Sequence, residues 1–135
     1  MMELTRKGEY AIRGIVYLAK LRPGNVALIS EIAEKTGVPQ TFLAKILQNF
    51  AKIGIVNSFR GTRGGFSLGR PASQITLREV VEAVEGPIMP NRCLIGDTGC
   101  EFNKTCLVHP VWREVQSKVV DILNGVTIEQ LARER

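Results

Sequence analysis

Histidine and tryptophan occur once each in the 135-residue chain, and aromatic residues make up 6% of it. One histidine leaves no plausible acid–base pair, and there is no nucleotide-binding loop, so catalysis is not expected. No apolar run approaches the ~18–20 residues that a membrane helix needs. The N-terminal MMELTRKGEY has no apolar stretch after its positive charges, unlike a signal peptide. The expected location is therefore the cytoplasm, with no membrane partner. Cysteine is scarce too: three residues, an odd number, are poor material for a disulfide framework in a compartment that keeps thiols reduced. Internal repeats and low-complexity segments are absent.

What remains is an ordinary globular composition, 44% hydrophobic and 23% charged, long enough for one domain or two small lobes. Its charge is uneven. Residues 1–70 hold 11 Lys+Arg and 4 Asp+Glu, and residues 71–135 hold 7 and 9, giving +7 and −2 within a total of +5. A basic first half suits a polyanion, although an unevenly charged solvated surface would give the same totals.

Thr5 is placed to cap a first helix running to about Leu21, with Tyr10, Ile15, Leu18 and Ala19 as its apolar stripe and Arg6, Lys7 and Arg13 outside it. Pro23-Gly24-Asn25 makes a turn. Ile29, Ile32 and Ala33 mark a short helix that stops at Gly37, and Pro39 is expected to open the next. There Leu43, Ile46, Leu47 and Phe50 recur at i, i+3, i+4 and i+7, one buried face. The opposite face carries Thr41, Lys45, Gln48 and Lys52, with Gln40 and Thr41 at the end that usually reaches the major groove. This is a helix-turn-helix pattern.

Ile55–Phe59 and Phe66–Leu68 read as two strands joined by the glycine-rich turn RGTRGG, whose Arg60 and Arg63 suit phosphates or a narrow minor groove. A hairpin after a helix-turn-helix is a wing. The expected fold is thus mainly α with a small β-hairpin: a winged helix-turn-helix DNA-binding lobe over residues 1–70, then a lobe over residues 71–135. Thr76 and Glu79 form a capping box for a helix with Val80, Val81 and Val84 on its apolar face, ended by Gly86-Pro87. Pro110 opens a later helix with His109 near its N-cap and a long stripe of Trp112, Val115, Val119 and Ile122. A stripe that long in so small a chain points to a homodimer, which also suits a duplex operator with two half-sites; packing against the first helix is the intramolecular alternative. Thr127 and Gln130 form a further capping box before a last short helix.

All three cysteines and the histidine fall in one segment, RCLIGDTGCEFNKTCLVHPVW, with the spacing C-x6-C-x5-C-x2-H. Soft thiolates suit an iron–sulfur cluster, zinc or Cu(I). The tight C-x2–4-C knuckles usual in structural zinc sites are missing, which favours a cluster. Cys93, Cys100 and Cys106 leave a cluster one ligand short of four, to be supplied by His109, a nearby carboxylate or a partner subunit. A zinc-bound or thiol-switch repressor on the same fold is the rival reading. A small iron–sulfur redox protein, or a pure protein-interaction module, is the rival of another class.

The motifs LTRKGEYA, SEIAEKTGVPQTFLAKIL, VNSFRGTRGGFSLGRPASQITLREVVEAVEG and CLVHPVW span nearly the whole chain. In these the sequence resembles the Rrf-two family of bacterial transcription regulators, specifically its iron–sulfur branch (IscR-like and NsrR-like). The resemblance implies a dimer of two winged helices with a long dimerisation helix. It also implies a 2Fe–2S or 4Fe–4S cluster on Cys93, Cys100 and Cys106, in a loop over about residues 88–109. By the same resemblance the fourth ligand is His109 in one branch, and in another a partner's carboxylate matching Glu9. The chain departs from the family in having six residues, rather than five, between the first two cysteines. DNA contacts are expected from Gln40, Thr41, Lys45 and Gln48 in the major groove and from Arg60 and Arg63 on the wing. Lys52 and Arg6 are expected on phosphates.

Overall fold

In the computed structural model, residues 4–61, 64–89 and 107–133 are described. Helix α1 (Arg6–Lys20) is followed by α2 (Ile29–Thr36) and α3 (Gln40–Lys52). Strands β1 (Val56–Phe59) and β2 (Gly65–Leu68) come next, then a single 3-10 turn, α4 (Leu77–Glu85), α5 (His109–Asn124) and α6 (Ile128–Arg133). No helix among the described residues is long and apolar enough to cross a membrane.

The caps explain where the helices begin. The Thr5 hydroxyl accepts from the Gly8 amide at 3.2 Å, and the Thr76 hydroxyl accepts from the Glu79 amide at 3.1 Å. At α6 the box closes both ways: Gln130 N–H donates to the Thr127 hydroxyl at 3.2 Å, and Thr127 N–H donates to the Gln130 side chain at 2.9 Å. Gly37 ends α2 in the left-handed region at φ 73°, which a residue with a Cβ rarely adopts. Two boundaries differ from expectation. Pro39 is the N-cap of α3 rather than its first residue, and His109 is already helical, with Val108 as the cap. Each is a shift of one residue, the usual uncertainty at a helix end.

Leu43, Ile46, Leu47 and Phe50 are all buried, as their spacing requires. The buried stripe of α1 lies elsewhere than on Tyr10 and Ala19, which are only partly buried. It runs through Gly8, Ala11, Gly14, Ile15 and Leu18. The small residues let α1 approach its neighbours closely: a Cβ on Gly14 would stand 3.2 Å from Leu43 Cδ1. Helix α1 packs against α2, α3, α4 and α6, and so is the central element of the fold. One core cluster joins Ile15, Leu43 and Phe50 to Ile75, Val80 and Ile128, so the C-terminal α6 closes the same core as the helix-turn-helix. It is held there by Ile128 N–H donating to the Ile75 carbonyl at 2.9 Å and Leu77 N–H donating to the Val126 carbonyl at 2.8 Å.

The hairpin is antiparallel, with Val56 opposite Leu68 and Phe59 opposite Gly65. It has a third partner: Ala27, just before α2, exchanges backbone hydrogen bonds with Phe66 at 2.9 and 2.8 Å. Gly65 makes this possible, since a Cβ there would lie 2.2 Å from the Ala27 carbonyl oxygen. Helix α5 is the exception to the general burial. None of its 16 residues is buried; Trp112, Val115 and Val119 are half-buried, while Val111 and Ile122 are exposed, Ile122 to 67%.

Candidate nucleic-acid interface and cluster-ligand residues

The core-facing residues of α3 fix which residues face out. With Leu43, Ile46, Leu47 and Phe50 inward, helical geometry turns Thr41, Lys45, Gln48 and Lys52 to the opposite side, and all four are exposed. Gln40 is exposed on the first turn of the same helix. The wing stands beside it. Gln40 and Gln48 of α3, Leu28 and Ser30 at the start of α2, and Phe59 and Arg60 of the wing line one open groove of ≈ 610 Å³. Such a groove offers amide and hydroxyl donors on one wall and a guanidinium on the other, a combination suited to a sugar–phosphate backbone and the base edges beside it. Arg63 lies outside the described residues.

Several cations have no carboxylate partner among the described residues. The ion pairs among the described residues are Arg70–Glu79 at 2.5 Å, Arg78–Glu82 at 2.7 Å, Lys118–Glu114 at 3.5 Å and Arg133–Glu129 at 3.2 Å. Arg6, Lys45, Lys52 and Arg60 are in none of them. Cations turned outward with no such partner are available to a polyanion.

Some residues of this surface escape the sequence pattern. Phe42 is 56% exposed on the first turn of α3, its ring tilted at 53° to that of Tyr10 with centroids 6.2 Å apart. Ser30 also lines the groove, where the pairing of Ala27 with Phe66 sets the start of α2 beside the wing. A long-range pairing of that kind has no local signal. The exposure of Phe42, by contrast, follows from its place outside the 43-46-47-50 stripe.

The second group of interest is the ligand set. Cys93, Cys100 and Cys106 lie outside the described residues. His109 and Glu9 are described. Glu9 is exposed in the first turn of α1. His109 begins α5, and its Nδ1 is buried with no hydrogen-bond partner among the described residues. A buried imidazole nitrogen without a partner costs free energy, and a bond to a metal would remove that cost. The geometry at His109 therefore fits a metal-binding role. Among the described residues, no cluster of three potential ligands occurs.

The architecture, three helices followed by a wing over a shared core with a long outer helix, is that of a winged-helix DNA-binding protein. The profile of the iron-dependent transcriptional regulators (Rrf2) matches residues 4–134, and the chain belongs to this family. Among curated relatives it is 31% identical over 134 residues to the HTH-type transcriptional regulator IscR of Pectobacterium carotovorum, covering 99% of this chain and 81% of that one. It is 33% identical over 130 residues to IscR of Escherichia coli, covering 96% and 80%. Among solved structures it resembles CymR, the global cysteine regulator of B. subtilis, with a TM-score of 0.82 at 27% identity over 100% of this chain and 99% of the other. It also shares the fold of T. potens IscR, with a TM-score of 0.78 at 21% identity over 98% and 88%. Its relatives are regulators of transcription rather than enzymes.

Proposed function

We infer that this protein is a cytoplasmic, dimeric transcription regulator whose affinity for operator DNA is set by an iron–sulfur cluster, 2Fe–2S or 4Fe–4S, and which acts as a repressor. The observation that carries the cluster is the buried Nδ1 of His109, without a hydrogen-bond partner among the described residues, three positions beyond Cys106 in a segment holding every cysteine of the chain. Cys93, Cys100 and Cys106 would hold the group, with His109 or a partner's Glu9 as the fourth ligand. When bound, a cluster supplies a centre that responds to iron supply, oxidation or nitric oxide.

The protein's own residues do the reading. Gln40, Thr41, Lys45 and Gln48 offer hydrogen-bond donors to base edges, Arg60 and Arg63 reach the backbone or minor groove from the wing, and Lys52 and Arg6 hold phosphates. Residues 1–70 carry the reading surface, and residues 71–135 carry the sensing segment and the dimerisation helix, with Ile75, Val80 and Ile128 completing the core beneath the reading helices. The dimer is supported by α5, a 16-residue helix with an apolar stripe and no buried residue. A second copy lying along it would cover that stripe and set two reading helices on two half-sites.

A thiol-based switch on the same fold is the second reading. It is favoured by the close fit to CymR, with a TM-score of 0.82 and 99% of its chain covered, against 0.78 and 88% for T. potens IscR. Anaerobic purification followed by an absorption spectrum and assay of iron and acid-labile sulfide separates the two. A brown protein with equal iron and sulfide supports the cluster. A colourless protein whose DNA affinity changes on reversible thiol oxidation supports the switch.

A further inference from the structure

The last residue of α4 reaches the first residues of α1. The Thr5 hydroxyl donates to Glu85 Oε1 while accepting from the Gly8 amide, so one hydroxyl links a carboxylate to the cap of the central helix. Gly8 is buried, and a Cβ on it would stand 2.7 Å from Glu85 Oε1 and 2.6 Å from Leu4 Cδ1. Three residues further along, Ile88 is buried and its carbonyl accepts from Gln116 Nε2 of α5 at 2.7 Å. The stem from Glu85 to Ile88 is therefore held on one side by α1 and on the other by α5, and in sequence it leads straight into the cysteine-bearing segment.

On its other side, α1 touches the reading helix. Gly14 lies against Leu43, and Tyr10 lies against Phe42. A 15-residue helix is about 22 Å long and stiff, so a displacement at Thr5 moves the surface on which α3 rests.

We propose that the Thr5–Glu85 contact, seated on Gly8, is the joint through which the state of the sensing lobe reaches the reading helix, with Thr5, Gly8 and Glu85 acting as positioning residues. This rests on the reading of the protein as a cluster-controlled regulator. The joint works by position. The Glu85 carboxylate accepts the Thr5 hydrogen bond and sits at the positive end of α1, and Gly8, lacking a Cβ, lets it come that close. A shift of the stem then either carries α1 along or breaks the contact.

The test uses the full-length protein in cluster-loaded and cluster-free forms. Operator affinity is measured for both, and amide hydrogen exchange is followed in α3 and α5. In the unaltered protein, loading is expected to change operator affinity by about tenfold and to alter exchange in both helices. Glu85→Ala is expected to bring the two affinities within about twofold of each other. It should also abolish the exchange response in α3 while leaving that in α5. Glu85→Gln, which keeps an acceptor for Thr5, is expected to retain the full ratio. Gly8→Ala keeps both polar partners but pushes them apart, and should behave like Glu85→Ala; it decides the matter if Glu85→Ala does not fold. If the unaltered protein responds to loading and Gly8→Ala or folded Glu85→Ala responds equally, the joint is wrong and the cluster-controlled reading stands. If the unaltered protein shows no response, the reading itself fails and the joint with it.

Discussion

The Tyr17 hydroxyl donates to Glu31 Oε2 at 2.5 Å, tying the last turn of α1 to the first turn of α2. This contact adds a polar tie to the packing of the central helix on the helix-turn-helix. It holds the phenol above its usual value of 10.0, first because Glu31 binds the protonated hydroxyl, then through burial and the charge of the carboxylate. Because the folded pKa is the higher one, the stabilisation is fully present below pH 10 and is lost as pH rises through the folded value. Tyr17→Phe should lower stability by about 1 kcal/mol at neutral pH and should flatten the loss of stability at alkaline pH. Urea unfolding of both proteins at neutral and alkaline pH checks this; equal midpoints at neutral pH would show that the contact adds nothing.

Ile128 is fully buried in the cluster that contains Ile15 and Phe50, although it lies only seven residues before Arg135. Ile128→Ala should destabilise the protein by about 2–5 kcal/mol, in the same range as Leu47→Ala, because both leave a cavity in one core. An effect below about 0.5 kcal/mol, the level of surface substitutions, would mean that α6 is not part of the cooperative unit.

Much of this arrangement is legible in the sequence where the physics is local. Thr5, Thr76 and the Thr127–Gln130 pair cap the helices they were expected to cap, because capping needs only residues three positions apart. The four-residue stripe of α3 fixes the reading face for the same reason. What was hidden depends on contacts distant in sequence. The Ala27–Phe66 bridge, the Thr5–Glu85 contact and the burial of Ile128 join segments that no periodicity relates. The stripe of α1 was displaced toward Gly8 and Gly14 because close approach, rather than hydrophobicity, selects those residues. Of the ligand set, only His109 and Glu9 fall in described residues, and the burial of His109 Nδ1 without a partner among those residues has no counterpart in sequence pattern.

Substitutions on the reading face should separate phosphate contacts from base contacts. Lys52→Ala is expected to weaken all duplexes alike and to reduce the salt slope by about 0.9. Gln40→Ala should instead relax preference at one base pair by about 1–3 kcal/mol. Arg78→Ala removes a cation paired with Glu82 and should leave both quantities unchanged. Fluorescence anisotropy across a salt series with operator and scrambled duplexes reads all three. If Lys52→Ala and Arg78→Ala behave alike, α3 is not the reading element.

The exposed stripe of α5 makes a prediction about assembly. Ile122, 67% exposed in the single chain, lies on this helix with no buried residue beside it. Ile122→Glu should shift a dimer toward monomer and lower operator affinity at low protein concentration, since two half-sites would no longer be bound together. Sedimentation equilibrium measures the first effect directly; an unchanged dimer would place the interface elsewhere.

The central claim is that a cluster controls DNA affinity, and its most direct measurement is an operator titration before and after removal of the cluster from the same anaerobic preparation. A change in affinity of about tenfold or more, reversed by reconstitution, is the predicted result. Equal affinities from a preparation whose spectrum confirms loading and removal would contradict it.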